Sequence, residues 1–312
     1  MSLNIDFEFI LKLSTIQKDL FCISGPILII LGIISGILSI LVFTRKTLRK
    51  NPCTIYLLAF SCANIIYICA SFLSPTLTLG YNIRHTAYNL ELCRVQLYLA
   101  FLFNILCPFY LILASIDRVL FTSSNATTRR YSTRRLAYTL IIIVTLCLAL
   151  VAIPVGIYAV IIESIVTGSI CVPKQNDFST LVSYASLGKE IIAPLLMIIL
   201  GLWSIRNIRQ MKQKRIVRNT SSITNAKDRQ LVRMLFVDIS IYILFNTIMP
   251  IVLIRNDITK NQLKTFEQKT IDTFLASVAI YSAHIPFCIT SYAYLFISKT
   301  FRQELKWIIQ CQ

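Results

Sequence analysis

Seven long apolar runs, separated by short polar stretches, divide the 312-residue chain. The hydrocarbon core of a bilayer is about 30 Å thick, and a helix that rises about 1.5 Å per residue crosses it with about 20 residues. The run at 93–119 is long enough, with 22 uncharged residues between Arg94 and Asp117. One such run fits a buried helix of a large soluble protein, but seven favour a membrane protein that crosses the bilayer repeatedly.

The pattern predicts an all-α fold, a seven-transmembrane helix bundle with the N-terminus outside and a short amphipathic surface helix after span seven. We expect an extracellular N-terminus at 1–19, a seven-transmembrane domain at 20–298, and a cytoplasmic amphipathic helix and tail at 299–312. Pro75 is expected to kink span two, and Lys189 and Glu190 split the fifth run. The predicted spans are about 20–43, 53–79, 94–119, 136–162, 183–206, 231–254 and 273–298.

The last 14 residues alternate apolar and basic side chains, which is typical of a helix lying on the membrane surface. A disordered tail is the alternative. Cys311, just after this segment, is a candidate for palmitoylation, although a lone terminal cysteine is a weak signal.

Composition supports the membrane interpretation. The chain is 56% hydrophobic and 14% charged, with a mean hydropathy of +0.69, whereas soluble domains carry about 25% charged residues. The net charge of +17 could indicate a nucleic-acid partner, but that needs a basic face on a soluble fold. Here the charges lie between apolar runs, and no nucleic-acid partner is expected.

The basic residues predict the orientation. Of 31 Lys and Arg residues, 21 belong to the loops after runs one, three and five, with the adjoining helix ends, and to the tail. The other ten lie on the opposite side together with ten acidic residues. The positive-inside rule therefore places the N-terminus outside and the C-terminus in the cytosol, as an odd number of spans requires.

Two of the ten cysteines then lie on the oxidising outer side, Cys93 at a helix start and Cys171 in the longest outer loop. Disulfides persist in that compartment, and we predict that these two pair. Most of the others lie in spans or on the inner side, with Cys22 borderline. Because the chain has only His85 and His284 and no CxxC motif, it indicates no metal and no cofactor.

The chain from about 20 to 309 resembles the rhodopsin-like family of G-protein-coupled receptors. Asp117-Arg118-Val119 resembles the family's Asp-Arg-Tyr triplet at the inner end of span three. Cys93 lies 25 residues before Arg118, which is the spacing of the family disulfide. The resemblance implies a receptor that activates a heterotrimeric G protein and no enzyme activity.

Further residues carry the same resemblance. Pro194 and Pro250 resemble the family prolines of spans five and six, and Tyr294, seven residues before Phe301, resembles the end of the seventh-span motif. The resemblance implies that these residues belong to the activation switch with Asp117 and Arg118. When span six swings outward, the arginine is expected to leave Asp117 and meet the carbonyl end of a G-protein helix.

Several core positions depart from the family pattern. The acidic residue of span two is replaced by Asn64, so regulation by sodium is not expected. Ser35-Gly36 stands where the family has asparagine after glycine, and span four has no tryptophan. The sixth-span tryptophan is replaced by Ile248, and the Asn-Pro pair of span seven by Thr290 and Ser291.

Residues in the outer half of the bundle argue against two classes of ligand, amines and retinal. Ala100 occupies the position at which amine receptors carry an aspartate, and His284 the position of the retinal-binding lysine of opsins. His284 is predicted to be either a ligand contact or an interhelical hydrogen-bond partner. The candidate pocket comprises Ala100, Glu190, Asp272 and His284. A mixed-charge outer rim is expected at Arg84, Arg94, Glu163, Asp177, Lys189, Glu190, Arg255, Asp257 and Asp272.

The rim suits a peptide ligand with a charged or amidated end. The IYLLA stretch at 55–59 and Asp228-Arg229-Gln230-Leu231 resemble invertebrate neuropeptide receptors of the FMRFamide type. A chemosensory receptor for a small molecule and a receptor-like protein without G-protein coupling are the alternatives. With Asn64 and His284 as the central polar sites and no repeat, the sequence does not favour a transporter. Membrane lipid is an expected partner of the basic loops.

Overall fold

The structure is a computed structural model, and it describes residues 2–83, 88–123, 125–164, 168–174, 177–216, 224–259, 262 and 264–310. Residues Arg84, His85 and Cys311, which were named above, lie outside the described residues. The side chains of Glu163, Asp177, Asp228 and Arg229 are also not described.

Seven helices in the described part of the chain are long and apolar enough to cross a membrane. We call the end of the bundle that holds Arg118 the inner end, because the charge distribution predicts that it faces the cytosol. The helices are span one at Ser2–Asp19, Leu20–Ser24 and Gly25–Phe43, span two at Pro52–Tyr67, Ile68–Phe72, Leu73–Pro75 and Thr76–Gly80, span three at Leu90–Phe121, a short helix at Ala126–Arg130, span four at Arg134–Ile157, span five at Asp177–Ile216, span six at Thr224–Asn246 and Ile248–Thr259, span seven at Phe266–Ile297, and the surface helix at Lys299–Gln310.

Side-chain caps define several helix starts. Asn51 accepts a hydrogen bond from the Cys53 amide, with Pro52 at the first helical position. Asn89 accepts from the first amides of span three. Thr265 and Gln268 form a reciprocal capping box at the start of span seven. These side chains satisfy amides that have no partner within their own helix.

Span one is longer than predicted, because residues 2–19 continue the helix through a wide π-helical turn at Leu20–Ser24. Gln17 donates to the Ser277 hydroxyl of span seven at 3.0 Å. The Phe21 ring packs 5.9 Å from the Tyr281 ring. The N-terminal segment therefore packs against span seven, while its extracellular location stays a prediction.

Pro75 lies between two wide turns, Ile68–Phe72 and Thr76–Gly80, and the kink at this residue stays a prediction. A proline removes one backbone donor, and the helix adjusts by lengthening neighbouring turns. At Gly80 the helix meets the backbone of span one, where a Cβ atom would come within 2.9 Å of the Phe21 carbonyl carbon. Only glycine permits this close approach.

Span four ends at Ile157, five residues before the predicted boundary. The apolar residues that follow form β1, Ala159–Ser164, which pairs antiparallel with β2, Gly168–Pro173. A short apolar run rich in valine and isoleucine fits a strand as well as a helix end. The hairpin places Cys171 opposite Ile161, near the outer end of the bundle.

Spans five and six differ from each other in their continuity. Span five is one helix from Asp177 to Ile216, with Lys189 and Glu190 inside it and Pro194 one turn later. Span six is interrupted at Thr247, three residues before Pro250. Pro250 cannot donate to the carbonyl of Asn246, which explains the break there. Ile248 begins the outer half of span six and is partly exposed.

The buried core includes residues of all seven spans, most of them from spans two, three, six and seven, whereas span four presents apolar side chains outward. Ile142, Leu146 and Leu150 are 57%, 60% and 67% exposed on one helix face. A soluble protein rarely exposes such a contiguous apolar face, whereas lipid covers it at no cost. The surface helix, predicted from its pattern, is present at Lys299–Gln310.

Candidate functional site

A disulfide joins Cys93 at the start of span three to Cys171 of β2, as predicted, with their Cα atoms 5.7 Å apart. Cys93 is fully buried. The bond attaches the hairpin to the outer end of span three, so the outer loop is fixed beside the entrance to the bundle.

Ion pairs line the outer end. Asp272 of span seven lies 2.6 Å from Lys264 and 3.3 Å from Arg255 of span six. Arg94 pairs with Glu91 at 2.8 Å. The Arg94 and Arg255 side chains are 39% and 48% exposed, so this part of the predicted mixed-charge rim is accessible.

Lys189 and Glu190 do not belong to the outer rim, and that prediction is wrong. Their side chains are 9% and 6% exposed and pair at 2.5 Å inside the bundle. Lys189 donates to Asn104 of span three at 2.8 Å, and Tyr242 of span six approaches Glu190 at 3.5 Å. The rotation of span five turns both charges inward, where each finds a partner that lipid could not supply.

His284 is fully enclosed between spans two and seven. Its imidazole stacks on Tyr67 and Phe72, with ring centroids 4.9 and 4.6 Å apart. Nδ1 lies 2.7 Å from the Ile280 carbonyl, and Nε2 lies 3.1 Å from the Ser71 hydroxyl. The interhelical hydrogen bond, one of the two predicted alternatives, is therefore present in this structure.

The four candidate pocket residues fall into separate groups. Asp272 belongs to the ion pairs at the outer end, Glu190 to the buried pair of span five, and His284 to the aromatic stack. Ala100 is partly buried on span three. A ligand that reaches all four would have to extend from the outer rim into the bundle.

Asn64 and Ser291, two of the altered family positions, form hydrogen bonds between helices. Asn64 donates to the Phe287 carbonyl of span seven at 2.7 Å. The Ser291 amide donates to the Ser35 hydroxyl of span one at 3.1 Å, and its own hydroxyl contacts Ser39 and the Ser35 carbonyl. Thr290 donates to Pro286 within its own helix. Spans one, two and seven are thus joined through side chains other than those typical of the family.

At the inner end, Asp117 and Arg118 form a buried group with two neighbours. Arg118 Nη2 donates to Asp117 Oδ2 at 3.0 Å and contacts the side chain of Asn51, at the start of span two. The Ser132 hydroxyl donates to Asp117 Oδ1 at 2.6 Å. Both carboxylate oxygens are therefore bonded, and the guanidinium is fully buried.

A second buried carboxylate at the inner half was not predicted as a site. Asp238 of span six is 4% exposed, and its Oδ2 accepts a hydrogen bond from the Tyr294 hydroxyl of span seven. Its Oδ1 has no hydrogen-bond partner within the described residues. The sequence signal was an acidic residue inside an apolar run, which in a membrane span indicates function by default.

Aromatic rings surround Tyr294. Its ring centroid lies 5.9 Å from Phe43 of span one and 5.5 Å from Phe301 of the surface helix. Arg45 lies 3.5 Å above the Trp307 ring and 3.4 Å from Glu304. These contacts fix the surface helix against the inner ends of spans one and seven.

An apolar cavity of about 450 Å³ lies beside the inner halves of spans five and six. Phe236 packs over Gly201, whose added Cβ would come within 2.9 Å of the ring. The lining residues are Ile205, Ile208, Arg209, Val232, Arg233, Phe236, Val237 and Ile297. Among the described residues, no group of three or more histidine, cysteine or acidic side chains is placed to hold a metal ion.

The profile of the 7 transmembrane receptor (rhodopsin family) matches residues 36–285, which is most of the chain. The chain belongs to this family. No curated protein sequence matches it. The receptor is a G-protein-coupled receptor of the plasma membrane, with an extracellular ligand and a G protein as its partners. Members of this family are receptors and not enzymes.

Proposed function

We propose that this receptor binds an extracellular neuropeptide and activates a heterotrimeric G protein through the inner ends of spans three, five and six. The observation that supports this most directly is the buried Arg118, which is bonded to Asp117 and Asn51. The charge pattern supports the orientation, with 1–19 outside and 299–312 in the cytosol.

The activation step follows from electrostatics. In the resting state Asp117 and Asn51 hold Arg118 at the inner end. When span six moves outward, Arg118 turns into the space that opens and meets the last carbonyls of a G-protein helix. Those carbonyls carry a partial negative charge, which favours a cation. Pro194, Pro250 and Tyr294 act in this movement by bending or connecting spans five, six and seven.

The outer end supports a peptide ligand. The accessible charges of Arg94 and Arg255 and the acidic Asp272 offer partners of both signs to the ends of a peptide. Ala100 lacks the carboxylate that would bind an amine. His284 stands at the position of the lysine that forms a Schiff base with retinal, and its imidazole cannot form that bond. An amidated peptide would bind at this rim and extend into the bundle toward His284.

A chemosensory receptor for a small molecule is the second candidate, and the buried Lys189–Glu190 pair favours it. A small ligand with both charges could replace the two partners at their 2.5 Å contact inside the bundle. A peptide anchored at the rim does not require this pair. Substituting Lys189 and Glu190 together by methionine and glutamine separates these hypotheses, since only the second predicts that every response disappears.

The test is a G-protein activation assay in cells, with a library of amidated neuropeptides and the basal signal recorded. We expect a peptide response that Arg118→Ala abolishes while Arg129→Ala, an exposed arginine of the adjacent loop, preserves it. Surface expression is measured for each variant. A peptide response that persists in Arg118→Ala contradicts the coupling mechanism, and silence with every G-protein class supports an uncoupled receptor.

A further inference from the structure

Two polar contacts join the inner end of span six to span seven and to the start of the surface helix. The first is the hydrogen bond from the Tyr294 hydroxyl to Asp238. In the second, Gln230 Oε1 accepts from the Thr300 amide at 2.8 Å and from the Ser298 hydroxyl at 3.3 Å. Asp238 follows Gln230 by eight residues, about two helical turns, so both lie on one face of span six.

The Asp238–Tyr294 contact is buried on both sides. Asp238 is 4% exposed and Tyr294 is fully buried. A buried carboxylate that loses its donor retains the cost of desolvation, so breaking this contact costs more than breaking an exposed one. Asp238 has one bonded oxygen in the described residues and thus depends on Tyr294.

The two partners differ in how firmly they are held. Phe43 and Phe301 pack on the Tyr294 ring from span one and the surface helix. Asp238 is carried by the inner half of span six, next to the cavity that Val237 lines. When span six moves outward, the carboxylate moves away from a tyrosine that its neighbours keep in place.

We infer that the Asp238–Tyr294 hydrogen bond, assisted by Gln230, is the contact that holds span six in its resting position, and that Asp238 is a positioning residue for activation. This inference rests on the proposed function, because it names what G-protein activation must break. The ligand shifts the equilibrium by favouring the state in which this bond is absent.

The first test is the basal G-protein signal at matched surface expression. Asp238→Ala is expected to raise it about tenfold, because the variant removes a buried hydrogen bond that stabilises only the resting state. Tyr294→Phe removes the same bond, and the double variant should not exceed the larger single effect, as expected for residues that share one contact. In a receptor whose ligand does activate a G protein, an unchanged or lower basal signal in Asp238→Ala overturns the inference.

Tyr292→Phe is the matched control, because Tyr292 lies in the same helix and donates to the Leu31 carbonyl of span one at 3.1 Å. It should leave the basal signal unchanged. If Tyr292→Phe raises the signal as much as Tyr294→Phe, the effect comes from loosening span seven in general, and the inference is overturned.

A second readout does not depend on G-protein coupling. Spin labels at Arg130→Cys and Arg233→Cys, in a receptor whose exposed free cysteines are replaced by serine, report the separation of the inner loop from span six. Asp238→Ala should add a population at longer distance. A longer distance without a signal supports this inference and contradicts the proposed function, whereas an unchanged distance overturns the inference by itself.

Discussion

Two buried carboxylates at the inner half of the bundle are bonded in different ways. Asp117 of span three has a partner on each oxygen, Arg118 at 3.0 Å and Ser132 at 2.6 Å. Asp238 of span six has Tyr294 on one oxygen, and the other has no hydrogen-bond partner in the described part of the chain. Both are almost fully buried, at 4% exposure.

This difference separates a fixed site from a movable one. Asp117 has its partners in its own helix and the adjoining loop, so a movement of span six does not by itself carry them away from it. Asp238 depends on a residue of another helix, so its only described contact breaks when the helices separate. A buried acidic residue bonded to its own helix and the adjoining loop stabilises the resting structure. A buried acidic residue bonded to a second helix controls the movement of one helix away from the other.

The largest effect is expected when Asp117 is removed. Asp117→Ala leaves Arg118 buried without its carboxylate, and losing one partner of a buried ion pair costs about 3–5 kcal/mol. Asp238→Ala removes a buried acidic group together with the cost of burying it, leaves no buried cation without its partner, and should destabilise less. Thermal unfolding of the purified variants in detergent measures both, with the exposed Glu8→Ala as control. A greater loss in Asp238→Ala would reverse the comparison.

Ser132→Ala should make Asp117 resemble Asp238 by removing the donor to one oxygen. An unsatisfied buried acceptor costs about 1–3 kcal/mol, so the unfolding temperature should fall by less than in Asp117→Ala. Ser240→Ala, which removes an exposed hydroxyl of span six, serves as control and should leave the unfolding temperature unchanged. Equal stability of Ser132→Ala and the unmodified receptor would show that the hydroxyl does not support Asp117.

Gln230→Ala should raise the basal signal about twofold to fivefold, less than Asp238→Ala. Its hydrogen bonds to Ser298 and Thr300 are neutral and partly buried, each worth about 1 kcal/mol. Gln303→Ala changes an exposed glutamine of the surface helix and should have no effect. A rise in Gln230→Ala larger than that in Asp238→Ala would make Gln230 the main contact.

Arg45→Ala should have the smallest effect, confined to the surface helix. It removes a partly exposed ion pair with Glu304 and the cation–π contact with Trp307, together about 1 kcal/mol. Amide hydrogen exchange across 299–310 should accelerate while the basal signal stays unchanged. Lys46→Ala is the matched control. If exchange does not accelerate, other contacts hold the surface helix.

The sequence predicts the features that depend on the length of the apolar runs, on the positions of the polar residues and on the side of the membrane at which the cysteines lie. Seven apolar runs predicted seven spans, and two cysteines on the same side predicted the disulfide that the structure contains. Asp117 and Arg118 were found because their position at the inner end of span three resembles a family motif. The lengths of the helices were less accurate, since valine and isoleucine after Ile157 fit either a helix or a strand.

The remaining features depend on helix rotation and packing. Lys189 and Glu190 were expected on the outer rim, but the rotation of span five turns them inward. In the sequence Asp238 is only an acidic residue within the sixth apolar run, because its contact with Tyr294 arises from packing between spans six and seven. An acid inside an apolar run needs a buried partner, and a search of the facing helices for a tyrosine or a basic residue would have suggested this one.

The most direct test of the account is the basal G-protein signal of the double variant Arg118→Ala with Asp238→Ala, compared with each single variant. If Asp238 restrains span six and Arg118 contacts the G protein, the signal raised by Asp238→Ala should fall to background when Arg118 is also removed. A double variant that keeps the raised signal would show that coupling does not pass through Arg118, and would contradict the account.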